Sequence, residues 1–516
     1  MNINLIEFRK KVLGCWMGKN IGGTLGAPFE WRRQINHVSF YAQDLGGEPL
    51  PNDDLDIQLL WLVALEERGL DLDAHTLSEY WVTYVTPHWS EYGTAKINMR
   101  AGLPPPLSGT FGNDYKDSCG AFIRSEIWAC IAPGAPQIAA RYAYEDAILD
   151  HGDGEGTYAE VFVAALESAA FVHPDIHQLI TIALTYIPPE CGVAKAVQCV
   201  IDAYRLGKSW LEARDAVLAG YRGSSFFLLP EATSPDDTAK GFAEGKQGWD
   251  VPSNIGMLLI GLLYGEGDFA RSLTTAVNCG EDTDCTGATA GSIFGILHGI
   301  DAIPPQWITP IGRTIKTACL NLGELGGFGS QLPADVDVLT DRTVAIAQRM
   351  SLRHPKASGS RLRATMPMLS EAPTELSDLK PELLNGDKVR EALFANMGRP
   401  VFRFQDFTVG VDYGAAGPLI CDGQPTTVKL HIHNHYKIQA NLNLHWYLPE
   451  GWKVSPAADG ALLSLPGQLG KPLDVTFRLE APAVRSPMNR AVVELTIAGR
   501  PTVMLVPITL LNGNLM

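Results

Sequence analysis

Two short stretches of the chain crowd carboxylates at a density that ordinary surfaces avoid. In Gly280–Gly299, "GEDTDCTGATAGSIFGILHG", the acids are Glu281, Asp282 and Asp284. In "PNDDLDIQLLWLVALEE", Asp53, Asp54 and Asp56 follow Asn52. Two carboxylates about 4 Å apart repel by roughly 4 kcal/mol at an effective dielectric of about 20, so something positive is expected beside them. Hard divalent cations such as Mg²⁺ or Ca²⁺ take carboxylate and carbonyl oxygens at this density. The imidazoles and paired thiols that softer metals prefer are missing from both motifs. A plainer reading stands beside this one. Each cluster opens a helix, where an Asn or Asp caps free N–H groups and first-turn carboxylates gain about 0.3–1 kcal/mol from the dipole. That account suits one isolated cluster; applied to two, it leaves the density unexplained.

The elements that must position these acids are marked by glycine. Gly287, Gly291, Gly295 and Gly299 recur every four residues, and so do Gly14, Gly18, Gly22 and Gly26 in "GCWMGKNIGGTLG", which runs on into "APFE" and Glu30. A glycine inside a helix costs about 1 kcal/mol relative to alanine, and close backbone packing of one helix on another is the simplest compensation. The spacing therefore predicts two helices deep in the protein, whose ends bring the acids together.

Segments of helical period, among them "LIEFRKKVLGCWMG", "TYAEVFVAALESAAFV" and "IGMLLIGLLYG", recur up to about residue 350. An all-α domain is expected over residues 1–355. A Pro-, Ser- and Gly-rich stretch over 356–398 reads as a linker, closed by a short helix in "DKVREALFANMG". From 399 to 516 the period switches to two in "TVKLHIHNHY", "ANLNLHWYL", "DVTFRLEA", "AVVELTIAG" and "TVMLVPITLL". That pattern predicts a β-sandwich of immunoglobulin-like kind.

A length of 516 residues and 46% hydrophobic composition fit a globular protein of several domains with large cores. The net charge of −16 leaves no basic face for a phosphate backbone, so nucleic acid is not an expected partner. No leader-like or membrane-spanning apolar run is present, which predicts a cytoplasmic protein without a membrane partner. The nine cysteines, with no CxxC pair, fit reduced thiols.

"GCWMGKNIGGTLGAPFE", "NDDLD", "GEDTDCTGATAGSIFGILHG" and the Ile303-Pro304 pair, in that order over about residues 10 to 310, resemble the successive motifs of the ADP-ribosylglycohydrolase family, the fold of the dinitrogenase-reductase-activating glycohydrolase. The resemblance implies an all-α fold and a dinuclear Mg²⁺ or Mn²⁺ centre that cleaves a glycosidic bond at C1 of a ribose. The family's Thr-Asp-Asp motif falls on Asn52, Asp53 and Asp54, and its Asp-x-Asp-Thr motif on Asp282, Thr283, Asp284 and Cys285. Glu30 closes the first glycine-rich motif. "DSCGAFIR" (117–124) and "DHGDGEGTYAE" (150–160) match substrate segments. Two departures stand out. Asn52 keeps an amide oxygen where the family has threonine, whereas Cys285 offers a thiol, a poor ligand for Mg²⁺; Thr283 and Thr286 carry hydroxyls off register.

Metal ligands are thus expected at Asn52, Asp53, Asp54, Asp282 and Asp284, holding one or two Mg²⁺ ions, with Mn²⁺ as the alternative. Catalytic roles fall to Glu30, as base or metal gate, or to Asp53 and Asp54. Arg124 and Asp150–His151 are read as substrate contacts, beside a buried ion pair for Arg124 and a structural hydrogen bond for His151. Glu155 is read either as a specificity residue or as a helix cap. "HIHNHY" places His431, His433 and His435 on one strand face, which permits zinc, but with His445 the sole further candidate a solvated face is the better reading. Cys285 as a nucleophile is disfavoured by the carboxylates around it. The stretch "INMRAGLPPPLSGTFGNDY" is read as a pocket loop without a legible specificity code. The expected activity is metal-dependent hydrolysis of an ADP-ribosyl or related ribosyl bond, on a small glycoside or an ADP-ribosylated conjugate. The alternatives are the same fold acting on another furanoside or nucleoside-like sugar, and a binding protein with a degraded site. A homo-oligomer joined through the β-domain stays open.

Overall fold

The computed structural model describes residues 4–222, 248–353, 385–395, 397–467 and 472–515, with Pro235 and Ala239. These residues form two compact units, one of 1–95 and 112–394, the other of 96–111 and 395–516.

The first unit is helical, and its described residues hold isolated bridges but no strand. Its centre is the antiparallel pair Leu5–Gly26 and Thr283–His298. Both helices are buried on every side, from Val12 to Gly26 and from Thr283 to Ile296, so neither shows the one-sided apolar stripe of a surface helix. The glycines explain how they fit. A Cβ on Gly18 would stand 2.1 Å from the carbonyl oxygen of Gly291, one on Gly22 2.0 Å from that of Gly287, and one on Gly26 2.2 Å from that of Thr283. Backbone lies on backbone along the whole seam, as the glycine spacing predicts. The Phe269–Asn278 and Val336–Arg353 helices pack against this pair.

The Asp53–Arg68 helix starts at Asn52, whose Oδ1 accepts from the Asp54 N–H at 2.6 Å, and ends at Gly69 with φ +80°. The expected linker falls largely on residues outside those described. Its closing helix is present at Asp387–Phe394 and belongs to the helical unit, where Phe394 meets Tyr144 and Tyr158.

The second unit contains β1 (Val401–Arg403), β2 (Phe407–Asp412), β3 (Leu419–Ile420), β4 (Thr426–Asn434), β5 (Ala440–Tyr447), β6 (Lys453–Ser455), β7 (Asp459–Ser464), β8 (Leu473–Glu480), β9 (Met488–Ile497) and β10 (Val503–Asn512). They form two five-stranded sheets, β1-β2-β4-β8-β6 and β3-β10-β9-β5-β7, antiparallel except for the β3–β10 pair. Alternate residues turn inward: Val428, Leu430 and Ile432 of β4 share a core with Leu442, Leu444 and Trp446 of β5. Leu103 and Leu107 lie in that core. The stretch read as a pocket loop therefore contributes its apolar side chains to the sheet-rich unit, because burying two leucines there is worth about 1.5–3 kcal/mol each. Outward on β4, His431 bonds Asp474 at 2.7 Å, and His435 beyond the strand end meets Thr408 at 2.6 Å. Among the described residues no metal-ligating group includes these histidines.

Candidate metal centre

The C-terminal end of the first helix and the N-terminal end of Thr283–His298 lie together because the pair is antiparallel. The turn after the first helix carries Glu30 and Trp31, and the turn into the second carries Asp282. That second turn is tight, with Gly280 and Glu281 both left-handed at φ +76° and +69°. It sends neighbouring carboxylates different ways. Glu281 turns to Arg33 at 3.2 Å and Arg222 at 2.5 Å, so it has the positive partners its charge requires. Asp282 and Asp284 have no ion pair among the described residues, although both are buried.

The acids converge. Ligand atoms of Glu30, Asp282 and Asp284 lie within 4.8 Å of one another, and so do those of Asp54, Asp284 and Cys285. A cavity of about 370 Å³ is lined by Glu30, Asn52, Asp53, Asp282, Asp284 and Cys285. Both carboxylate oxygens of Asp54, Oδ1 of Asp282 and Oδ1 of Asp284 are buried without a hydrogen-bond partner. Burial pushes the carboxyl of Glu30 up to about 8, helped by Asp53 and Asp54, and that of Asp54 up to about 7 against the pull of Lys19. Asp282 and Asp284 are also raised, first by burial and then by neighbouring carboxylates. Orphaned buried oxygens are costly, and a divalent cation among them reverses that balance. The donor set fits such an ion. Asn52 stands closer to the capping reading, since its oxygen is engaged with the Asp54 N–H.

The hydroxyls of Thr283 and Thr286 donate to the Gly26 and Thr283 carbonyl oxygens, so both are taken up by backbone. Asp56 is structural too: its Oδ2 accepts from the N–H groups of Ala318, Cys319 and Leu320 at 2.6, 2.5 and 3.1 Å.

The four residues read as substrate contacts do not line the cavity. Arg124 is fully buried between Asp146 at 2.9 Å and Asp150 at 2.6 Å. Asp150 also holds His151 Nδ1 at 2.9 Å, and His151 Nε2 stands 3.1 Å from Ser118 Oγ, which does line the cavity. The Arg124 guanidinium and His151 outweigh burial and hold the Asp150 carboxyl at about 2. Glu155 accepts from the N–H groups of Gly192 and Val193 at 2.8 and 2.9 Å, capping the Gly192–Arg205 helix. Thus the ion-pair, structural and capping alternatives describe where these side chains point.

Sequence reasoning missed Trp31, Trp89, Glu91 and Trp249 of the wall, whereas Ser118 and Cys119 fall within the 117–124 segment matched to a substrate segment. Trp31 and Trp89 are 44% and 50% exposed, and Trp31 meets Trp249 edge-on at 5.2 Å. Burial raises the Glu91 carboxyl to about 7. The one signal in the sequence was Trp31 itself, directly after Glu30; its left-handed φ of +59° shows only in the structure.

A family model described as ADP-ribosylglycohydrolase matches residues 4–335, well over half of the chain. The chain belongs to the ADP-ribosylglycohydrolase family. No curated protein matches it. Among solved structures it is similar to a FixG-related protein from Vibrio parahaemolyticus, at 14% identity over 21% of this chain and 99% of that one, with a TM-score of 0.17 that carries no argument. The ADP-ribosylglycohydrolase match covers both acidic clusters and stops before the sheets begin. Membership suggests glycosyl hydrolase activity, and the buried acids are a group able to bind metal. No described helix is long and apolar enough to cross a membrane.

Proposed function

We propose that the helical unit is a divalent-metal-dependent glycoside hydrolase that cleaves an ADP-ribosyl or related ribosyl bond. The observation that carries this reading is the convergence of Glu30, Asp54, Asp282 and Asp284, drawn from three stretches of the sequence: Glu30, Asp282 and Asp284 line one cavity, Asp54 stands behind them within ligand distance of Asp284, and buried oxygens of Asp54, Asp282 and Asp284 are left unpartnered. Asp54, Asp282 and Asp284 would hold Mg²⁺ or Mn²⁺, with Asp53 and Asn52 beside them. Bound there, the ion supplies Lewis acidity toward sugar hydroxyls and lowers the pKa of water.

The remaining work falls to side chains of the wall. Glu30 is half-buried at the rim, with a carboxyl held near neutrality, which suits proton transfer to or from water at the anomeric carbon. Glu91, whose carboxyl burial raises to about 7, lines the same cavity and would exchange a proton with the leaving group. Trp31, Trp89 and Trp249 offer flat apolar faces against which a sugar or base packs and water is excluded. Arg124, Asp150 and His151 position Ser118 from behind the wall.

A second reading, a neutral furanoside or nucleoside-like substrate, is favoured by the lining itself. Among the described residues the cavity is lined by carboxyls and three indoles and by no Lys or Arg that would pair with a diphosphate, so that charge would fall to the metal alone. The test is a panel of ADP-ribosyl conjugates, nucleosides and aryl furanosides assayed with Mg²⁺ or Mn²⁺ and with EDTA. Cation-dependent release of a sugar supports the proposal, and the substrate that turns over chooses between the readings. Turnover unaffected by EDTA, or none on any glycoside, overturns it.

A further inference from the structure

Two overlapping sets of donors that differ in chemistry meet at the cavity wall, where Asp284 belongs to both. Glu30, Asp282 and Asp284 bring carboxylate oxygens alone within 4.8 Å of one another; Asp54, Asp284 and Cys285 bring two carboxylate oxygens and a thiol within the same span. Asp54 is 1% exposed and neither of its carboxylate oxygens has a hydrogen-bond partner, while Asp284 leaves Oδ1 unpartnered. The Cys285 thiol faces the cavity, within hydrogen-bonding reach of Cys119 and Asp282. Cys119 points its sulfur at the Trp249 carbonyl oxygen, 3.1 Å away, and also neighbours Asp282; of the two thiols it is Cys285 whose sulfur converges with two carboxylates.

Mg²⁺ selects oxygen ligands and tolerates sulfur poorly, whereas Zn²⁺ and its heavier relative Cd²⁺ accept thiolate and carboxylate together. The two sets share Asp284 and differ in whether sulfur is among the donors. We propose that the position between Asp54, Asp284 and Cys285 takes a thiophilic divalent cation of the Zn²⁺ class through a metal–sulfur bond, while the all-oxygen set keeps Mg²⁺ or Mn²⁺. As that bond forms, the Cys285 proton passes to solvent and no oxidation state changes. This inference rests on the metal-centre reading above and adds an unequal preference between its two positions.

The experiment uses the full-length protein stripped with EDTA and titrated with Cd²⁺ while the ultraviolet sulfur-to-metal charge-transfer band is followed. Mg²⁺ and Mn²⁺ are titrated in parallel by calorimetry. The expected result is a one-equivalent band in the wild type that is absent in Cys285→Ser and retained in Cys119→Ser. In Cys285→Ser, Cd²⁺ and Zn²⁺ affinity falls by on the order of 10–100-fold. Mg²⁺ affinity stays within about twofold, since an oxygen-seeking ion is indifferent to the lost sulfur. Should Cys285→Ser not fold, ¹¹³Cd NMR of the wild type decides the matter, because a single sulfur ligand shifts the resonance far downfield of an all-oxygen site. Mg²⁺ or Mn²⁺ binding with no sulfur band, an all-oxygen ¹¹³Cd resonance, or a band that survives Cys285→Ser overturns this inference and leaves the metal centre standing. Absence of binding by every divalent cation overturns both.

Discussion

Substituting Gly22 by alanine tests whether the glycine seam sets the geometry of the acids. On an exposed helix the change would stabilise by about 1 kcal/mol through propensity. Here the new Cβ would stand 2.0 Å from the Gly287 carbonyl oxygen and 2.3 Å from its carbon. Ordinary contact begins at 3.4 Å, so the helices must part locally by about 1.4 Å, the difference between 3.4 and 2.0 Å. Both clashing partners are backbone, and no rotamer relieves them. Overpacking of this kind costs about 1–3 kcal/mol or more, which outweighs the propensity gain and gives a net loss of up to about 2 kcal/mol. The same parting moves Asp282 and Asp284 away from Asp54 and Glu30. Displacements of about 1 Å in a reacting constellation cost on the order of 100-fold. Gly14→Ala provides the comparison. Its Cβ would meet backbone at 2.7 Å, a milder clash, and it lies eight residues, about 12 Å, further from the acids. Urea unfolding of the metal-free protein reads stability, and calorimetric Mg²⁺ or Mn²⁺ titration reads the site. Gly22→Ala is expected to lose at least about tenfold in metal affinity and Gly14→Ala less than about threefold, scaled from the same displacement argument. Equal effects of the two on metal affinity, or a stabilised Gly22→Ala, would refute the reasoning.

Asp284→Asn removes the acid shared by both donor sets; metal-induced thermal stabilisation should vanish, while the metal-free protein gains about 1 kcal/mol from relieved repulsion, as calorimetric melting with and without cation will read. Arg124→Met leaves Asp146 and Asp150 buried without their cation and should cost about 3–5 kcal/mol in urea unfolding. Asp150, held at about 2 against an ordinary 3.8, contributes roughly 2 kcal/mol. Its folded-state value is depressed, so that contribution is complete above pH 3.8 and fades as pH falls through 2; Asp146, raised by burial, works the other way. The stability gap between wild type and Asp150→Asn should therefore narrow as pH falls from about 3.8 to 2, and a gap that widens would contradict the assignment. Glu155→Gln weakens a helix cap and should cost about 1 kcal/mol with kcat/KM for any substrate unchanged within about twofold.

The glycine seam was legible because a repeated penalty needs a repeated cause, and the long strands were legible because β4, β5, β8 and β9 alternate over most of their eight to ten residues and β10 over its first half. The short strands β1, β3 and β6 are two or three residues long and carry no period to read. The acids announced a shared site through their density. Trp89 and Glu91 did not, since a residue just before a helix and one in its first turn reach a cavity through tertiary packing that leaves no local mark. Arg124 and Asp150 were conspicuous for the same reason they are structural: buried charges must be paired, and the pairing partner is invisible in a linear chain. The sheet-rich unit hid its other half altogether, because nothing in "LPPPLSG" states which core its leucines enter.

That hidden half decides how the protein can be taken apart. A chain ending at residue 394 would leave Leu103 and Leu107 without the apolar interior that receives them, and the strands expressed alone would carry a gap where those leucines belong. The visible border near residue 395 is thus a poor place to cut or to recombine. The sheets behave as a dependent of a short insertion hundreds of residues upstream, so shuffling this module into another protein requires two pieces of sequence to travel together.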